Sequence, residues 1–309
     1  MKNKLWIILV LTGIFSLTAQ KTEEVEIKRE NVVLSGTLAY PVEKTKTAVL
    51  LIAGSGPTDR NGNAPGMTNN CLRILSDSLT KHGLAVLRYD KRGIGKSRTE
   101  HLTESDLRFE DFVTDAVAWI KFLRAKGFEK IIVAGHSQGS LVGILAAQQV
   151  PVDGFISLEG AGYPLGTVLK KQFSHSVKII RKTVDSLIDI LQANKKIDSV
   201  PPLLAGLFRQ SVQEFLKSWM KYDPAAELAK LHIPVLIVAG TTDLQISLDD
   251  ARKLLKAKPD ARLEIIEGMN HILKDAPIDR EKNIATYNRP DLPVSRRLIS
   301  VMTDFIAKI

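Results

Sequence analysis

A Gly-His-Ser-Gln-Gly segment at residues 135–139 constrains the fold of this chain more than any other feature. It follows the apolar run 130–134 and precedes the helix-like run 140–147. A strand, a sharp turn and a helix in this order expose a serine at the apex, because small flanking residues let strand and helix approach closely. The helix N-terminus adds free N–H groups and a partial positive charge. The segment therefore predicts a nucleophilic Ser137, with an ordinary structural turn as the alternative.

Short apolar runs alternate with helical patterns along most of the chain. The runs are continuous rather than alternating in polarity, as expected for parallel strands buried on both faces. Strands are predicted at residues 48–53, 84–89, 130–134, 154–158, 234–239 and 261–266, after an antiparallel hairpin of 25–28 and 32–40. Helices are predicted near residues 69–82, 110–126, 138–149, 248–257 and 294–309. The pattern indicates an α/β fold with a doubly wound, mostly parallel sheet.

Residues 163–222 break this alternation, because they contain no strand pattern. Apolar residues recur there at helical spacing in two stretches, 177–191 and 204–216. Open α/β sheets keep their sites at the carboxyl ends of the strands, so a helical insertion at this point is expected to form a cap over that edge. The alternative is that these helices only extend the fold. The predicted organisation is a core of residues 20–162 and 223–309 with a cap of 163–222.

The first 19 residues have the features of a secretory signal peptide. Lys2 and Lys4 precede the apolar run 5–17, which ends near the small residue Ala19. The run is short for a bilayer span, so we predict cleavage after Ala19 rather than an uncleaved membrane anchor. The mature protein is then expected to be exported, periplasmic or secreted, without stable membrane insertion.

Composition and charge argue against several classes of protein. The formal net charge is +9, and residues 164–222 alone carry ten Lys or Arg against four Asp or Glu. Aromatic residues do not interleave with these charges and no nucleic-acid motif is present, so no nucleic-acid partner is expected. Cys71 is the single cysteine, which excludes an intrachain disulfide. The sequence does not indicate an oligomeric state.

Two further strand ends supply the groups that a nucleophilic serine needs. A serine hydroxyl requires a base, and the base requires an orienting group. Asp243 follows the next-to-last predicted strand and His271 follows the last one. The order Ser137, Asp243, His271 is the one this architecture uses, with Asp243 holding the tautomer of His271 that accepts the serine proton. Taken singly, Asp243 could be an ordinary turn residue and His271 an ordinary surface-loop residue. Glu159, which follows an earlier strand, is the alternative candidate for the acid that orients the histidine.

Two backbone N–H groups are expected to bind the oxyanion that forms during acyl transfer. One is the N–H of Gln138, the residue after the nucleophile. The other comes from the glycine-rich exit of the first parallel strand, where we favour Ser55 over Gly54. The alternative is an ordinary glycine-rich turn. No metal site is predicted.

These motifs together resemble the α/β-hydrolase superfamily. The residues that carry the resemblance are 54–63, 89–97, 135–139, 240–243 and 270–271. Within the superfamily they are similar to small secreted bacterial esterases and hydrolases related to dienelactone hydrolase and to the serine aminopeptidase-like group. Ala53 stands where related enzymes often have histidine, which leaves the backbone donor but removes a bracing side chain.

The resemblance implies hydrolysis of a carboxylic ester through an acyl-enzyme, without a metal or an organic cofactor. It also implies that the 89–97 segment braces the site, while Arg60 contacts either a polar substrate group or an internal carboxylate. The leading hypothesis is a serine esterase acting on a small-molecule ester of a small or medium acyl group. An aminopeptidase or amidase with the same triad is the alternative, and a non-catalytic binding protein on the same fold is a third. The basic insertion favours esters, because an aminopeptidase needs acidic groups to hold the substrate amino terminus.

Overall fold

A computed structural model describes residues 21–29 and 31–309. The signal peptide predicted at residues 1–19 lies outside the described residues and stays a prediction. In the part of the chain that is described, no helix has both the length and the apolar character that crossing a bilayer requires.

A single sheet forms the centre of the described chain. Its strands are β1 (Lys21–Arg29), β2 (Val32–Tyr40), β3 (Thr47–Ile52), β4 (Ala85–Tyr89), β5 (Arg98–Thr99), β6 (Lys130–His136), β7 (Gly154–Leu158), β8 (Val235–Gly240) and β9 (Arg262–Ile266). Their order is β1-β2-β4-β3-β6-β7-β8-β9, with β5 paired to β2. The pairs of β2 with β1, β4 and β5 are antiparallel, and all pairs from β4 to β9 are parallel. The predicted fold class, a mostly parallel α/β sheet, is confirmed.

Helices cover both faces of this sheet and fill the segment between β7 and β8. They are α1 (Cys71–Lys81), α2 (Phe109–Ala125), α3 (Gln138–Ala147), α4 (Leu165–Gln172), α5 (Lys178–Gln192), α6 (Ala205–Phe208), α7 (Gln213–Met220), α8 (Pro224–Leu228), α9 (Leu248–Ala257), α10 (Arg280–Ala285) and α11 (Arg296–Ala307). Sequence patterns did not indicate α4, α10 or the two-residue strand β5. These elements are too short for a hydrophobic period to stand out.

The inner parallel strands send alternate side chains into two separate hydrophobic layers. In β3, Leu50 and Ile52 pack with α2 and α3, while Val49 and Leu51 pack with α1 and α11. Both sets are buried, as expected when helices cover a parallel sheet on both sides. This burial explains why the strand sequences are continuous apolar runs.

Helices α4 to α7 form a third hydrophobic cluster of their own. Leu169, Ile188 and Phe208 are among its buried members. Trp219 of α7 connects this cluster to the core, because its ring stacks on Phe109 of α2 with 5.4 Å between centroids. The insertion therefore packs internally and is joined to the sheet layer through an aromatic contact.

Candidate active site

Ser137 lies at the turn between β6 and α3, as the sequence pattern predicts. Its backbone is in an unusual conformation, with φ 53° and ψ −119°. A positive φ is uncommon for a residue with a side chain, and such strain is often found at functional sites. Ser137 directly precedes the first residue of α3, so it lies at a helix N-terminus, where backbone N–H groups have no partner within the helix.

The two glycines of this turn allow backbone contacts that a side chain would block. A Cβ placed on Gly135 would lie 2.1 Å from the backbone oxygen of Gly139. A Cβ on Gly139 would lie 2.4 Å from the backbone oxygen of Ile52 and 2.7 Å from that of Ala53. Strand β6, helix α3 and the end of β3 can therefore approach one another only because both positions are glycine.

We expect the substitution Gly139→Ala to lower the free energy of unfolding by about 1–3 kcal/mol, because overpacking at this point moves α3 away from β3. Urea denaturation of the purified variant measures the loss. Gly206→Ala in α6 is the matched control, since a Cβ there meets no atom within 4 Å. Equal loss of stability in both variants would show that the close contact at Gly139 is not the cause.

Asp243 and His271 are brought into direct contact by the loops that follow β8 and β9. The Nδ1 atom of His271 lies 2.7 Å from Oδ2 of Asp243. The other carboxylate oxygen, Oδ1, accepts hydrogen bonds from the N–H groups of Gln245 at 2.6 Å and Ile246 at 3.0 Å. Both oxygens of the carboxylate are therefore held by the protein, and the carboxylate orients the imidazole.

The environment of Asp243 favours its ionised form. Burial alone would raise the pKa of this carboxyl, since its side chain is fully buried. The facing imidazole of His271 and the two backbone N–H donors outweigh burial and hold the pKa below its usual value. An ionised Asp243 keeps the proton of His271 on Nδ1, which leaves Nε2 free to accept one.

Glu159 lies beside this pair but does not take the place of Asp243. It follows β7, is buried, and has a φ of 49°. Burial, together with the neighbouring charge of Asp243, raises the pKa of Glu159 well above its usual range. This shift favours the protonated form of Glu159, and the carboxylate that contacts Nδ1 of His271 is that of Asp243 rather than that of the alternative candidate.

His136 connects the serine turn to the histidine loop. Its Nε2 donates a hydrogen bond to the backbone oxygen of His271 at 2.6 Å, and the two rings are 4.9 Å apart. Burial, followed by the nearby His271, lowers the pKa of His136 to about 3, so the ring is neutral at ordinary pH. His136 therefore positions the loop that carries His271.

Helix α10, which sequence patterns missed, ties the loops of Asp243 and His271 together. The Nδ2 of Asn283 donates to the backbone oxygen of Thr242 at 2.8 Å. Asn270, the residue before His271, donates to the side-chain oxygens of Asn283 at 3.1 Å and Thr286 at 2.8 Å. Both asparagines are fully buried. The spacing of the two loops thus depends on a buried amide network that has no sequence motif.

The segment after β3 lies against Ser137, where the second oxyanion donor was predicted. A Cβ placed on Gly54 would lie 3.3 Å from the Cβ of Ser137. Ser55, Ser137 and Gln138 line the same cavity. The predicted oxyanion donors and the nucleophile therefore face a common space.

Arg60 forms an internal ion pair, so it does not reach a substrate. Its Nη2 lies 2.7 Å from Oδ2 of Asp90 and 2.7 Å from the hydroxyl of Ser35. Asp90 belongs to the 89–97 segment, and so does Arg92, whose Nη2 lies 2.6 Å from Oδ1 of the buried Asp115. These buried pairs support the expectation that the segment braces the site.

The cavity at Ser137 has a volume of about 620 Å³, within the range of small-molecule sites. One wall comes from the core, and the other comes from α4, α6 and α7 of the insertion. The aromatic lining residues are Phe112, Tyr163, Phe173, Phe215 and Trp219. Among the lining residues in the described part of the chain, the one carboxylate is Glu104, and it forms an ion pair with Arg209, which also lines the cavity. The walls are therefore mainly apolar.

Comparison with known proteins places the chain in a family. The profile of the serine aminopeptidases, S33, matches residues 65–275, which is more than half of the chain and includes Ser137, Asp243 and His271. The chain belongs to the serine aminopeptidase S33 family. Members of this family share the α/β-hydrolase fold described above.

Curated relatives of this S33 chain have more than one activity. Esterase EstD of Thermotoga maritima is 25% identical over 248 residues, covering 76% of this chain and 58% of the esterase. Proline iminopeptidase of Lactobacillus delbrueckii subsp. bulgaricus is 25% identical over 267 residues, covering 74% of this chain and 85% of that protein. The chain thus spans 58% of the length of the esterase.

Solved structures support the fold of the S33 chain. Est1E of Butyrivibrio proteoclasticus with bound ferulic acid superposes with a TM-score of 0.61 at 19% identity, covering 92% of this chain and 99% of that one. Esterase Pf2001 of Pyrococcus furiosus gives a TM-score of 0.61 at 19% identity, covering 94% of this chain and 91% of that esterase. Family and fold therefore indicate a hydrolase without deciding between ester and amide substrates.

Proposed function

We propose that the protein is a serine hydrolase that cleaves carboxylic esters of small or medium acyl groups. The observation that carries this proposal is the 2.7 Å contact between Asp243 and His271, in a loop that His136 bonds to the turn of the strained Ser137 at the N-terminus of α3. A base oriented by a buried carboxylate and a serine at a helix N-terminus are the parts that acyl transfer requires.

In the proposed mechanism Ser137 attacks the ester carbonyl while Nε2 of His271 takes the hydroxyl proton. The N–H groups of Ser55 and Gln138 bind the oxyanion of the tetrahedral intermediate. As the intermediate collapses, His271 returns the proton to the leaving alcohol and an acyl-enzyme remains. His271 then takes a proton from water, which attacks the acyl group. As this second intermediate collapses, His271 gives that proton to the leaving oxygen of Ser137, so the acid is released and Ser137 is restored.

We also propose that residues 163–222 act as a cap under which the substrate binds. Four of the aromatic residues that line the cavity, Tyr163, Phe173, Phe215 and Trp219, belong to this segment. Aromatic walls bury flat or aliphatic groups well. The ferulic acid in the related Est1E structure makes aromatic acyl esters reasonable members of a substrate screen.

Amide cleavage is the second candidate, since the family is named for aminopeptidases and one relative is a proline iminopeptidase. An aminopeptidase needs a carboxylate that is free to hold the substrate amino group. The carboxylate on the described cavity lining, Glu104, is already bound to Arg209. The remaining charged lining residues, Lys91 and Arg92, are cationic. This balance favours esters.

A substrate panel tests the proposal. We expect p-nitrophenyl butyrate to exceed p-nitrophenyl acetate in kcat/KM by up to about 15-fold, because each of the two added CH₂ groups gains about 0.8 kcal/mol on burial. Methyl ferulate tests the aromatic acyl class, and proline p-nitroanilide tests the amide class. Faster cleavage of the anilide than of every ester would reverse the ranking of the two functions.

Active-site labelling separates an enzyme from a binding protein with the same fold. A fluorophosphonate probe reacts with an activated serine and is expected to label one serine, Ser137, in the folded protein. Folded protein that binds esters but does not react with the probe would support binding alone.

A further inference from the structure

Lys91 holds the segment that carries the predicted oxyanion donor. It follows β4, and its side chain extends to the residues after β3. The Nζ atom lies 2.5 Å from the backbone oxygen of Gly54 and 2.7 Å from that of Gly56. The Gly54 carbonyl belongs to the same peptide unit as the Ser55 N–H, and the Gly56 carbonyl belongs to the peptide between Gly56 and Pro57. The ammonium group therefore holds the Ser55 peptide directly and anchors the segment again two residues further on.

The charge of Lys91 has no anionic partner among residues 21–29 and 31–309. The next residue, Arg92, takes the two nearby carboxylates, Asp111 and Asp115. The ammonium group lies 5.6 Å from the ring centroid of Phe112 and is nearly fully buried, with 3% of the residue exposed. Burying an ammonium group without a counter-charge is costly, which is unusual for a residue with a purely structural role.

The position of Lys91 relates this uncompensated charge to the reaction. Lys91 lines the same cavity as Ser55, Ser137 and Gln138. A negative charge develops on the substrate oxygen in that space during acyl transfer, and charges placed there in advance stabilise it strongly. The oxyanion that forms in the proposed reaction would therefore supply the negative charge that the ammonium group of Lys91 lacks in the resting site.

We propose that Lys91 is a positioning residue for the oxyanion: it orients the Ser55 N–H through Gly54 and Gly56 and places a positive charge behind that donor. This inference rests on the proposed function. It assigns Lys91 a role in the transition state and none in holding the resting substrate.

Kinetics of Lys91→Met and Lys91→Gln test this role. We expect kcat for p-nitrophenyl butyrate to fall by about 10²-fold to 10³-fold with KM little changed, as when an oxyanion donor is removed. Binding of butylboronic acid, which forms a tetrahedral adduct with serine, is expected to weaken by a similar factor. Lys96→Met is the matched control in the same segment, because Lys96 is exposed and its ammonium group pairs with Glu24 alone among the described residues. Wild-type kcat and boronate affinity in both Lys91 variants would overturn the inference.

The pH profile gives a readout that a structural role would not change. Burial lowers the pKa of Lys91 to about 7, so the ammonium form is lost as the pH rises through that value. The charged groups around the cavity are Arg92, Glu104 and Arg209, and the neutral ring of His136 lies on the β6 side. We expect kcat/KM of the wild type to decline above about pH 7, and we expect this decline to be absent in Lys91→Met. Identical profile shapes would overturn the inference.

The wild type separates the two possible failures. If it hydrolyses esters and both Lys91 variants match it, the inference about Lys91 fails and the proposed function stands. If it neither reacts with the fluorophosphonate nor cleaves any ester, the proposed function fails and this inference fails with it. Thermal unfolding of each variant establishes that the kinetics are measured on folded protein.

Discussion

Replacement of Ser137 by alanine is expected to lower kcat for p-nitrophenyl butyrate by about 10⁶-fold, the loss seen when the nucleophile of a serine triad is removed. Alanine retains the Cβ of serine, so it adopts the same backbone conformation and leaves the cavity unchanged. KM or the affinity for a product-like inhibitor is therefore expected to stay close to that of the wild type. Steady-state assays with purified protein measure kcat and KM, and inhibition of the same assay measures the affinity for the product-like inhibitor.

Ser140→Ala provides the matched serine control. Ser140 lies one turn further along the chain, and its hydroxyl is 2.8 Å from that of Ser157. Its loss removes a buried hydrogen bond and is expected to lower stability by about 1 kcal/mol while the activity persists. If Ser137→Ala hydrolyses the ester at the wild-type rate, another residue is the nucleophile and the assignment is wrong.

Asp243→Asn is expected to lower kcat by about 10⁴-fold without unfolding the protein. The reason lies in the two oxygens of the carboxylate. Oδ1 must accept hydrogen bonds from the N–H groups of Gln245 and Ile246, so an asparagine would place its carbonyl oxygen there. Its NH₂ group would then face Nδ1 of His271, which would have to give up its proton. The imidazole would carry the proton on Nε2 and could not accept one from Ser137.

Glu159→Gln is the control for this substitution, because it makes the same change in a neighbouring carboxyl. Burial and the neighbouring charge of Asp243 raise the pKa of Glu159, which favours the neutral form, and glutamine is a neutral group of similar shape. The fall in kcat is therefore expected to be far smaller than for Asp243→Asn. A larger fall in Glu159→Gln than in Asp243→Asn would identify Glu159 as the acid that orients His271.

The parts of the site that could be predicted from the sequence are those attached to strand ends. Parallel strands bring their carboxyl ends to one edge, so Asp243 after β8 and His271 after β9 could be paired without a structure. The strained turn at Ser137 was visible because strand, glycines and helix are consecutive in the chain. Their roles in catalysis await the experiments above.

The remaining parts depend on contacts between segments that are distant in sequence. Lys91 reaches the carbonyls of Gly54 and Gly56 across 37 and 35 positions, and no short motif records that distance. The link from Asn283 to Thr242 spans 41 positions and begins in a six-residue helix with no clear hydrophobic period. The shape of the cavity depends on how α4 to α7 pack, which their amphipathic patterns do not specify.

The separate packing of the insertion has an evolutionary consequence. Its buried cluster contains residues such as Leu169, Ile188 and Phe208, whereas the sheet layers are built from other side chains. Substitutions that reshape the α4 wall of the cavity, where Leu165 and Leu169 belong to the insertion's own cluster, are therefore buffered from the elements that position Ser137. Selection for a new substrate can act on the insertion while the catalytic strand ends stay constant. Laboratory evolution of this protein should accordingly begin with mutant libraries in α4, because α7 also packs on Phe109 of the core through Trp219.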